Sequence, residues 1–332
     1  MAAYTIGCLD VFAPKVQDAI RGVALPEFEI RFAKTYQPEE QLELTVNADF
    51  VLVGGATLSG SMIEQAKRLK FIQKWGIGVD KIDLAAARRA GVPVAITAGA
   101  NAGPVAELAI ALMLAVYRRI PYADRKIREG VWIKSEMRSS CYQLDGKTIG
   151  LLGFGAIARM VAHRLRGFDA DIVYHDLNRA DRVTERALQA RPVSFDELLQ
   201  RSDILSIHTP LTSATRNLIG REAIAKMKDG AVIINTARGG IVDESAMCEA
   251  LETGKLCGAG LDSFESEPLS LESPLLKFDQ VVLTPHAGGG VFDNVANVAD
   301  HALGNIAKFV RGEALAPLDV VVPVAKRDAA VA

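Results

Sequence analysis

Short apolar runs rich in Val and Ile alternate along the chain with stretches whose apolar residues recur every three to four positions. The first pattern predicts buried strands and the second helices; their alternation predicts parallel α/β sheets. In the first third, Tyr4–Leu9, Phe28–Phe32, Phe50–Val53, Phe71–Lys74 and Val92–Ile96 read as strands, with Pro14–Arg21, Ser61–Lys67 and Leu84–Ala90 as helices. A long apolar helix is expected over Ala102–Ile120, where Ala106, Ala109, Ala111 and Ala115 allow close packing. A second α/β run starts at Lys147. Its strands are expected at Thr148–Leu152, Asp171–His175, Ile204–His208, Ala231–Thr236, Cys257–Leu261 and Val281–Thr284, and its helices at Arg159–Arg166, Phe195–Arg201, Arg221–Met227 and Glu244–Thr253. A final helix is expected at about Asn294–Val310, and topology allows it to return to the first domain. The tail Lys326–Ala332 is small and charged and is expected to fray.

Composition narrows the class. The 332 residues suit two ordinary domains, and 38 Lys plus Arg against 40 Asp plus Glu leave a net charge of −2. That balance gives no electrostatic footprint for nucleic acid or an anionic membrane surface. The four cysteines, Cys8, Cys141, Cys248 and Cys257, have no metal-ligand or disulfide spacing, so no metal site is expected. The most apolar stretch, Val105–Val116, is too short to span a bilayer and contains Glu107. No signal-peptide core is visible near Met1. A cytoplasmic protein without a membrane partner is the expectation.

Two groups of residues carry chemistry. Gly153-x-Gly155-x-x-Ala158 lies directly after an apolar strand and before a helix. Gly153 permits the tight turn, Gly155 lets the backbone approach a pyrophosphate, and Ala158 keeps helix and strand close. Asp176 ends the next strand, where a carboxylate can accept hydrogen bonds from an adenosine ribose and repel a 2′-phosphate. That favours NAD over NADP, with Arg179 able to offset the preference if it swings toward a 2′-phosphate. Three later segments lie at the carboxyl ends of predicted strands and offer Arg238, Glu267 and His286. A planar Arg fork suits a substrate carboxylate. An imidazole suits the proton that leaves a hydroxyl as hydride departs from the same carbon. Glu267 is the candidate partner that would fix the imidazole tautomer.

With these residues in place, the chain resembles the D-isomer-specific 2-hydroxy acid dehydrogenases, which include D-lactate, glyoxylate/hydroxypyruvate and D-3-phosphoglycerate enzymes. The resemblance runs from about Ile6 to Pro323. It rests on Gly76–Leu84, Ala106–Leu108, Gly150–Ala158, His208–Thr215, Asn235–Gly239, Asp262–Pro268 and Thr284–Gly289. It implies an α/β protein of two doubly wound domains. A Rossmann NAD-binding domain, 100–290, would be inserted in a discontinuous flavodoxin-like substrate domain, 1–99 and 291–332. Arg238, Glu267 and His286 would be catalytic. The cofactor would meet Val105, Gly153, Gly155, Ala156, Ile157, Asp176, His208, Thr209, Pro210, Thr215, Ala237, Asp262, His286 and Gly288, with Asp262 at the nicotinamide carboxamide. The substrate would meet Gly55, Lys74, Trp75, Gly76, Ile77, Gly78 and Arg238. The partners implied are a small 2-keto or 2-hydroxy acid and a second copy of the chain, docked through the helix from Ala102.

Departures sharpen the picture. Ala156 and Ala158 stand where the family often has a basic residue and a glycine, so pyrophosphate binding would lean on backbone donors and on Arg159. Gly54-Gly55 stands where phosphoglycerate enzymes usually carry Arg-Ser, which argues for an unphosphorylated substrate. Lys74 and Trp75, placed at the pocket mouth, would tune the substrate tail, Lys74 toward a second anion. Three alternatives stay open: an NAD(H)-sensing interaction protein on the same fold, a D-3-phosphoglycerate dehydrogenase, and a relative acting on formate or phosphite.

Overall fold

The computed structural model describes residues 3–324, so the tail expected to fray lies outside the described residues. The chain divides into two compact units: one runs up to Asn101 and resumes at Gly290, and the other is Ala102–Gly289.

The first unit opens with β1 (Tyr4–Cys8), α1 (Pro14–Gly22), β2 (Phe28–Phe32), α2 (Pro38–Val46), β3 (Phe50–Val53), α3 (Gly60–Gln65), β4 (Phe71–Lys74), α4 (Leu84–Ala90) and β5 (Val94–Ala95). Local chemistry sets these boundaries. Pro14 and Pro38 stand at the starts of α1 and α2, where a missing N–H costs nothing. Ser59 and Asp83 cap α3 and α4 by accepting from Met62 N and Ala86 N, and left-handed Gly91 ends α4. Helix α2 was not expected from the pattern because its buried residues are polar: Gln41 and Thr45, with the Thr45 hydroxyl donating to Gln41 O at 2.7 Å. The sheet order β2-β1-β3-β4-β5 reverses direction between β1 and β3, and these pairs are parallel.

The second unit contains α5 (Ala102–Tyr117), α6 (Ile120–Arg128), α7 (Lys134–Ser140), β6 (Thr148–Leu152), α8 (Ala156–Leu165), β7 (Asp171–His175), α9 (Arg182–Leu188), β8 (Ala190–Pro192), α10 (Phe195–Arg201), β9 (Ile204–Ile207), α11 (Arg221–Lys226), β10 (Ala231–Asn235), α12 (Glu244–Glu252), β11 (Leu256–Leu261) and β12 (Val281–Leu283). The parallel order β8-β7-β6-β9-β10-β11-β12 reverses between β6 and β9, which is the Rossmann order. Helix α8 starts at Ala156, three residues before the expected Arg159, because the turn is completed by Gly155. The pattern had not placed α6, α7, α9 or β8. Helix α5 lies against the sheet of its own unit: Cβ atoms at Gly258 and Gly260 of β11 would meet Val116 and Leu112 at 2.6 and 2.9 Å. Apolar layers cover both faces of this sheet, one around Leu205, Ile233 and Met247 and one around Met113, Leu151 and Val161.

From Gly290 the chain adds α13 (Val295–Val310) and β13 (Val320–Val322) to the first unit. Strand β13 runs antiparallel to β5, and α13 packs Ala299, Ala302 and Ile306 into a layer with Ile6, Phe50 and Phe71. The opposite face is covered by Ile63, Ala86 and their neighbours, so this unit too is doubly wound. Among the described residues no helix is long and apolar enough to cross a membrane.

Candidate functional site

In an open parallel sheet, ligands bind beyond the carboxyl ends of strands where the order reverses. In the second unit that point lies between β6 and β9. Gly153 leaves β6 with φ +87°, and a Cβ there would sit 2.9 Å from the His208 carbonyl carbon and oxygen and 3.0 Å from Thr209 N. Only glycine allows this approach of the two loops. Gly155 opens α8 without a side-chain cap, and a Cβ on it would meet nothing within 4 Å. Gly155 and Ala156 are exposed, Ile157 is half-buried, and Ala158 is buried against the core. The first N–H groups of α8 have no intrahelical acceptor and face open space, the arrangement that binds a diphosphate.

Asp176 follows β7 and accepts from Phe154 N at 2.7 Å and from Asn178 N at 2.8 Å. It therefore shapes the glycine turn as well as offering lone pairs to a ribose. The Phe154 ring stacks on Tyr174 at 3.9 Å, holding the turn to β7. Arg179 does not swing toward the ribose as its sequence position allows. Its fork grips Glu185 at 2.8 and 2.9 Å, and Tyr174 donates to the same carboxylate at 2.8 Å. These bonds hold the Glu185 carboxyl below its usual range. Arg159 donates from Nε to Phe154 O at 3.0 Å.

His208 is half-buried on the β9 loop. Its Nε2 lies 2.9 Å from Ser206 Oγ, and burial of the ring lowers its pKa to about 4, keeping it neutral. Thr209 and Pro210 lie on the adjoining loop. Thr215 staples that loop, donating to Pro210 O at 2.7 Å and accepting from Thr212 N at 2.7 Å.

Three further loops at the same sheet edge carry the other candidates. After β10, buried Asn235 donates from Nδ2 to Arg238 O at 2.8 Å and accepts from Ala237 N at 3.0 Å. Arg238 is half-buried, and its Nη1 donates to Ala237 O at 2.7 Å. A Cβ at Gly239 would lie 1.9 Å from Phe264 C, so glycine lets the Arg238 loop press on the loop after β11. That second loop carries Asp262 and Glu267.

Asp262, 2% exposed, accepts from Ala287 N at 2.8 Å, Gly288 N at 2.9 Å and Thr284 Oγ1 at 2.7 Å. Its carboxylate is thus a clamp for the loop after β12, where a nicotinamide contact had been expected. Val105 lies on the far side of that loop, with its Cγ2 3.6 Å from a Cβ built at Gly288. Held in this loop, His286 has φ +52° and turns Nδ1 to Glu267, 2.9 and 3.0 Å from its two oxygens. A carboxylate only accepts, so Nδ1 carries the proton and Nε2 is the nitrogen turned away from Glu267.

In the first unit, Gly76 has φ +104°, and its N–H donates to Thr97 Oγ1 at 2.8 Å. Ile77 is exposed and Gly78 half-exposed. Lys74 does not stand at a pocket mouth: it is 7% exposed and donates to Gly54 O at 2.6 Å and Trp75 O at 2.9 Å, because two carbonyls solvate the buried ammonium. The Trp75 ring packs on Phe12 at 5.4 Å. Gly55 is exposed on the loop after β3.

A family model described as the D-isomer specific 2-hydroxyacid dehydrogenase NAD binding domain matches residues 110–288. A hydroxypyruvate reductase from Thermotoga maritima is 41% identical over 275 residues, 82% of this chain and 88% of the relative. The chain belongs to the D-isomer specific 2-hydroxyacid dehydrogenases. A D-3-phosphoglycerate dehydrogenase from Archaeoglobus fulgidus is 37% identical over 91% of this chain, which spans 57% of that relative. An NAD-dependent formate dehydrogenase from Staphylococcus aureus, solved with NAD, matches with a TM-score of 0.83 at 27% identity, covering 96% of this chain and 99% of that one. This dehydrogenase therefore uses NAD as its cofactor and is an oxidoreductase of 2-hydroxy acids. Its uncapped α8, the open space at Gly155 and the carboxylate of Asp176 fit that dinucleotide. The hydroxyls of Thr236 and Ser263, just past β10 and β11, are buried without a hydrogen-bond partner within the protein.

Sequence reasoning missed two parts of this dehydrogenase: Glu185, which holds Arg179, and the clamp role of Asp262. Glu185 sits at a helix position with no motif around it, and no signal in the chain could have found it.

Two predictions follow from this geometry. Asp176→Ala will lower affinity for NADH and narrow the preference over NADPH; adding Glu185→Gln, which releases Arg179, will narrow it further, read as the ratio of kcat/KM values. An unchanged ratio in the double variant would place the determinant elsewhere. His208 binds no proton in the folded state until pH falls to about 4, whereas the unfolded chain binds one near 6.5. The unfolded state then holds more protons between these values, so stability rises with pH across that window and falls on acidification. Denaturant midpoints of cofactor-free protein will show this slope, and His208→Asn will flatten it.

Proposed function

We propose that this dehydrogenase exchanges hydride between NAD and C2 of a small, unphosphorylated D-2-hydroxy acid or its 2-keto acid. In this reading 100–290 is the NAD-binding domain, and 1–99 with 291–332 the substrate-binding domain. The observation that carries it is His286, held in a left-handed backbone with Nδ1 on Glu267. Strained non-glycine residues persist where the surroundings over-determine them, and they cluster at reactive sites. When bound, NAD supplies the hydride acceptor. His286 Nε2 takes the proton of the C2 hydroxyl during oxidation and returns it to the C2 oxygen during reduction. Glu267 keeps the tautomer fixed through both directions. Arg238 forks onto the substrate carboxylate, and the amides around Ile77 and Gly78 are assigned to substrate contact. Gly153, Gly155, Ala156 and Ile157 hold the diphosphate, with Thr209, Pro210, Ala237, Val105 and Gly288 lining the nucleotide. The carboxylate partner of His286 speaks against formate as substrate, since a 2-hydroxy acid has the proton to exchange.

Loss of NADH absorbance with glyoxylate, hydroxypyruvate, pyruvate and branched or sugar-derived 2-keto acids tests the reading. At least one will be turned over. His286→Ala will lower kcat about 10²–10⁴-fold with NADH affinity nearly kept, and Arg238→Lys will raise KM for the keto acid because Lys lacks the fork. Absence of turnover on every acid would favour the interaction-protein reading, and near-normal turnover in His286→Ala would remove that residue from the mechanism.

We also propose a cytoplasmic homodimer. Helix α5, which the resemblance names as the docking element, packs one face on its own unit and leaves Glu107 and Ala111 exposed and Leu108, Leu114 and Ala115 half-buried. The segment after it adds apolar surface to the proposed interface, where Ile120, Ile127, Val131 and Trp132 are exposed, Trp132 at 79%. Sedimentation will give two chains per particle, and Trp132→Glu with Ile127→Glu will give one; a monomeric wild type rejects the dimer.

A further inference from the structure

Glu267 lies on an irregular, exposed loop, yet its two oxygens meet His286 Nδ1 at 2.9 and 3.0 Å. A long side chain on such a loop keeps one orientation only if the backbone beneath it is fixed. Part of that fixing is internal. Glu267 Oε1 also accepts from Phe264 N at 3.2 Å, so the carboxylate spans the turn of its own loop before it reaches the imidazole. The aim of Glu267 therefore depends on where Phe264 sits.

Phe264 is held from several sides. Its ring is buried in the layer that includes Met247 and Leu261. The peptide that links it to Glu265 lies against Gly239, where any Cβ would overlap Phe264 C and O and Glu265 N. The N–H of that same peptide donates to Glu244 Oε1 at 2.7 Å. Glu244 is the first residue of α12. Asp243 caps this helix by accepting from Ala246 N at 2.9 Å, and the helix packs Met247 and Leu251 into the same apolar layer. The Glu244 carboxylate is thus mounted on a fixed element. The bond is also returned: Glu244 N, a helix N–H with no intrahelical acceptor, donates to Glu265 Oε1 at 3.3 Å.

This bracket sets two carboxylates beside each other, the one on Glu244 half-buried. Burial holds the Glu244 carboxyl above its usual range, the bond from Glu265 N opposes this, and the Glu265 charge adds to it. A hydroxyl or an amide would accept a backbone N–H without that cost. Arrangements that break a local rule in this way concentrate at functional sites.

We propose that Glu244 is a positioning residue for the Glu267–His286 pair. Its carboxylate ties the Phe264–Glu265 peptide to α12, and that peptide sets the turn from which Glu267 reaches the imidazole. Glu244 acts only through this loop and takes no part in the proton transfer. The proposal rests on the reading of His286 as the acid/base.

The test compares wild type with Glu244→Ala and Glu244→Gln, the second of which keeps an acceptor at the same reach without the charge. The keto acid best used by wild type is reduced at saturating NADH over a range of pH. Glu244→Ala will lower kcat about 10–100-fold. A carboxylate beside an imidazole favours its protonated form, and reduction needs that form. The alkaline limb of the kcat profile will therefore move down by about one pH unit as Glu267 loosens. Glu244→Gln will recover most of kcat and return the limb toward wild type. Nitrogen NMR of the NADH-bound, histidine-labelled enzyme reads the same geometry without turnover, with His286 assigned from its absence in His286→Ala. At alkaline pH wild type will show the Nδ1–H tautomer, and Glu244→Ala will show both tautomers. Glu244→Ser, which suits a helix start but is too short to reach Glu265 N, carries the test if Glu244→Ala does not fold. A folded Glu244→Ala or Glu244→Ser with the wild-type limb and tautomer overturns the proposal, as does a Glu244→Gln no better than Glu244→Ala. Failure of wild type on every keto acid would instead remove the functional reading, and the tautomer spectra would still decide whether Glu244 positions the pair.

Discussion

The buried carboxylate of Asp262 governs the reactive edge of the second unit. It accepts from two backbone N–H groups, Ala287 and Gly288, and from the Thr284 hydroxyl, and these bonds bracket His286. A histidine at φ +52° costs about 1–2 kcal/mol against an ordinary backbone. Hydrogen bonds to a charged group contribute about 1.5–3 kcal/mol each. Three of them outweigh the strain, so the loop stays in the shape that turns the imidazole onto Glu267. Without that clamp nothing in the loop sequence would keep His286 left-handed.

The same device recurs at other strand ends. A parallel sheet ends its strands along one edge, and the loops that leave this edge carry N–H groups with no ladder partner. Asp176 after β7 takes Phe154 N of the glycine turn, and Asp10 after β1 takes the amides of Gly54 to Ala56. In each case an acidic residue just past one strand fixes the loop that follows its neighbour in the sheet. Glycines complete the device where two loops touch: Gly153 against His208, and Gly239 against Phe264. Loop shape at these edges is therefore set by pairs of residues distant in sequence, one carboxylate or one missing Cβ per pair.

This explains what could be read in the chain and what could not. The strands were legible because runs such as Ile204–Ile207 and Ala231–Asn235 are apolar throughout, as burial on both faces demands. The order of motifs pointed to the family, and Gly153, Asp176, Arg238, Glu267 and His286 stand at the sheet edge that the strand pattern implies. Helix α2 was illegible because its buried face is Gln41 and Thr45, and β8 because three residues, one of them Pro192, make no period. Lys74 misled for a different reason. Lysine at a strand end reads as a solvent-facing cation, and it is the fold that brings the carbonyls of Gly54 and Trp75 to the buried ammonium. Asp10 gave no sign at all, since a lone Asp after a strand has many uses.

An acidic residue beside a ligand loop has two obligations, and the local one comes first. Motif reading assigns Asp262 and Asp176 to the cofactor because that is what an observer of ligands notices. The geometry shows both already binding backbone N–H groups within their own unit. A carboxylate has about four acceptor positions, so one or two remain for a ligand after such bonds are made. It follows that replacing either residue changes loop shape and ligand contact together, and kcat and KM should move as a pair. Arg179 is the converse case. Its charge could serve a 2′-phosphate, yet Glu185 holds it with both fork positions. Which charges at this sheet edge are open to a ligand thus depends on which the protein has already paired internally, a property of the folded neighbourhood that no single position in the chain displays.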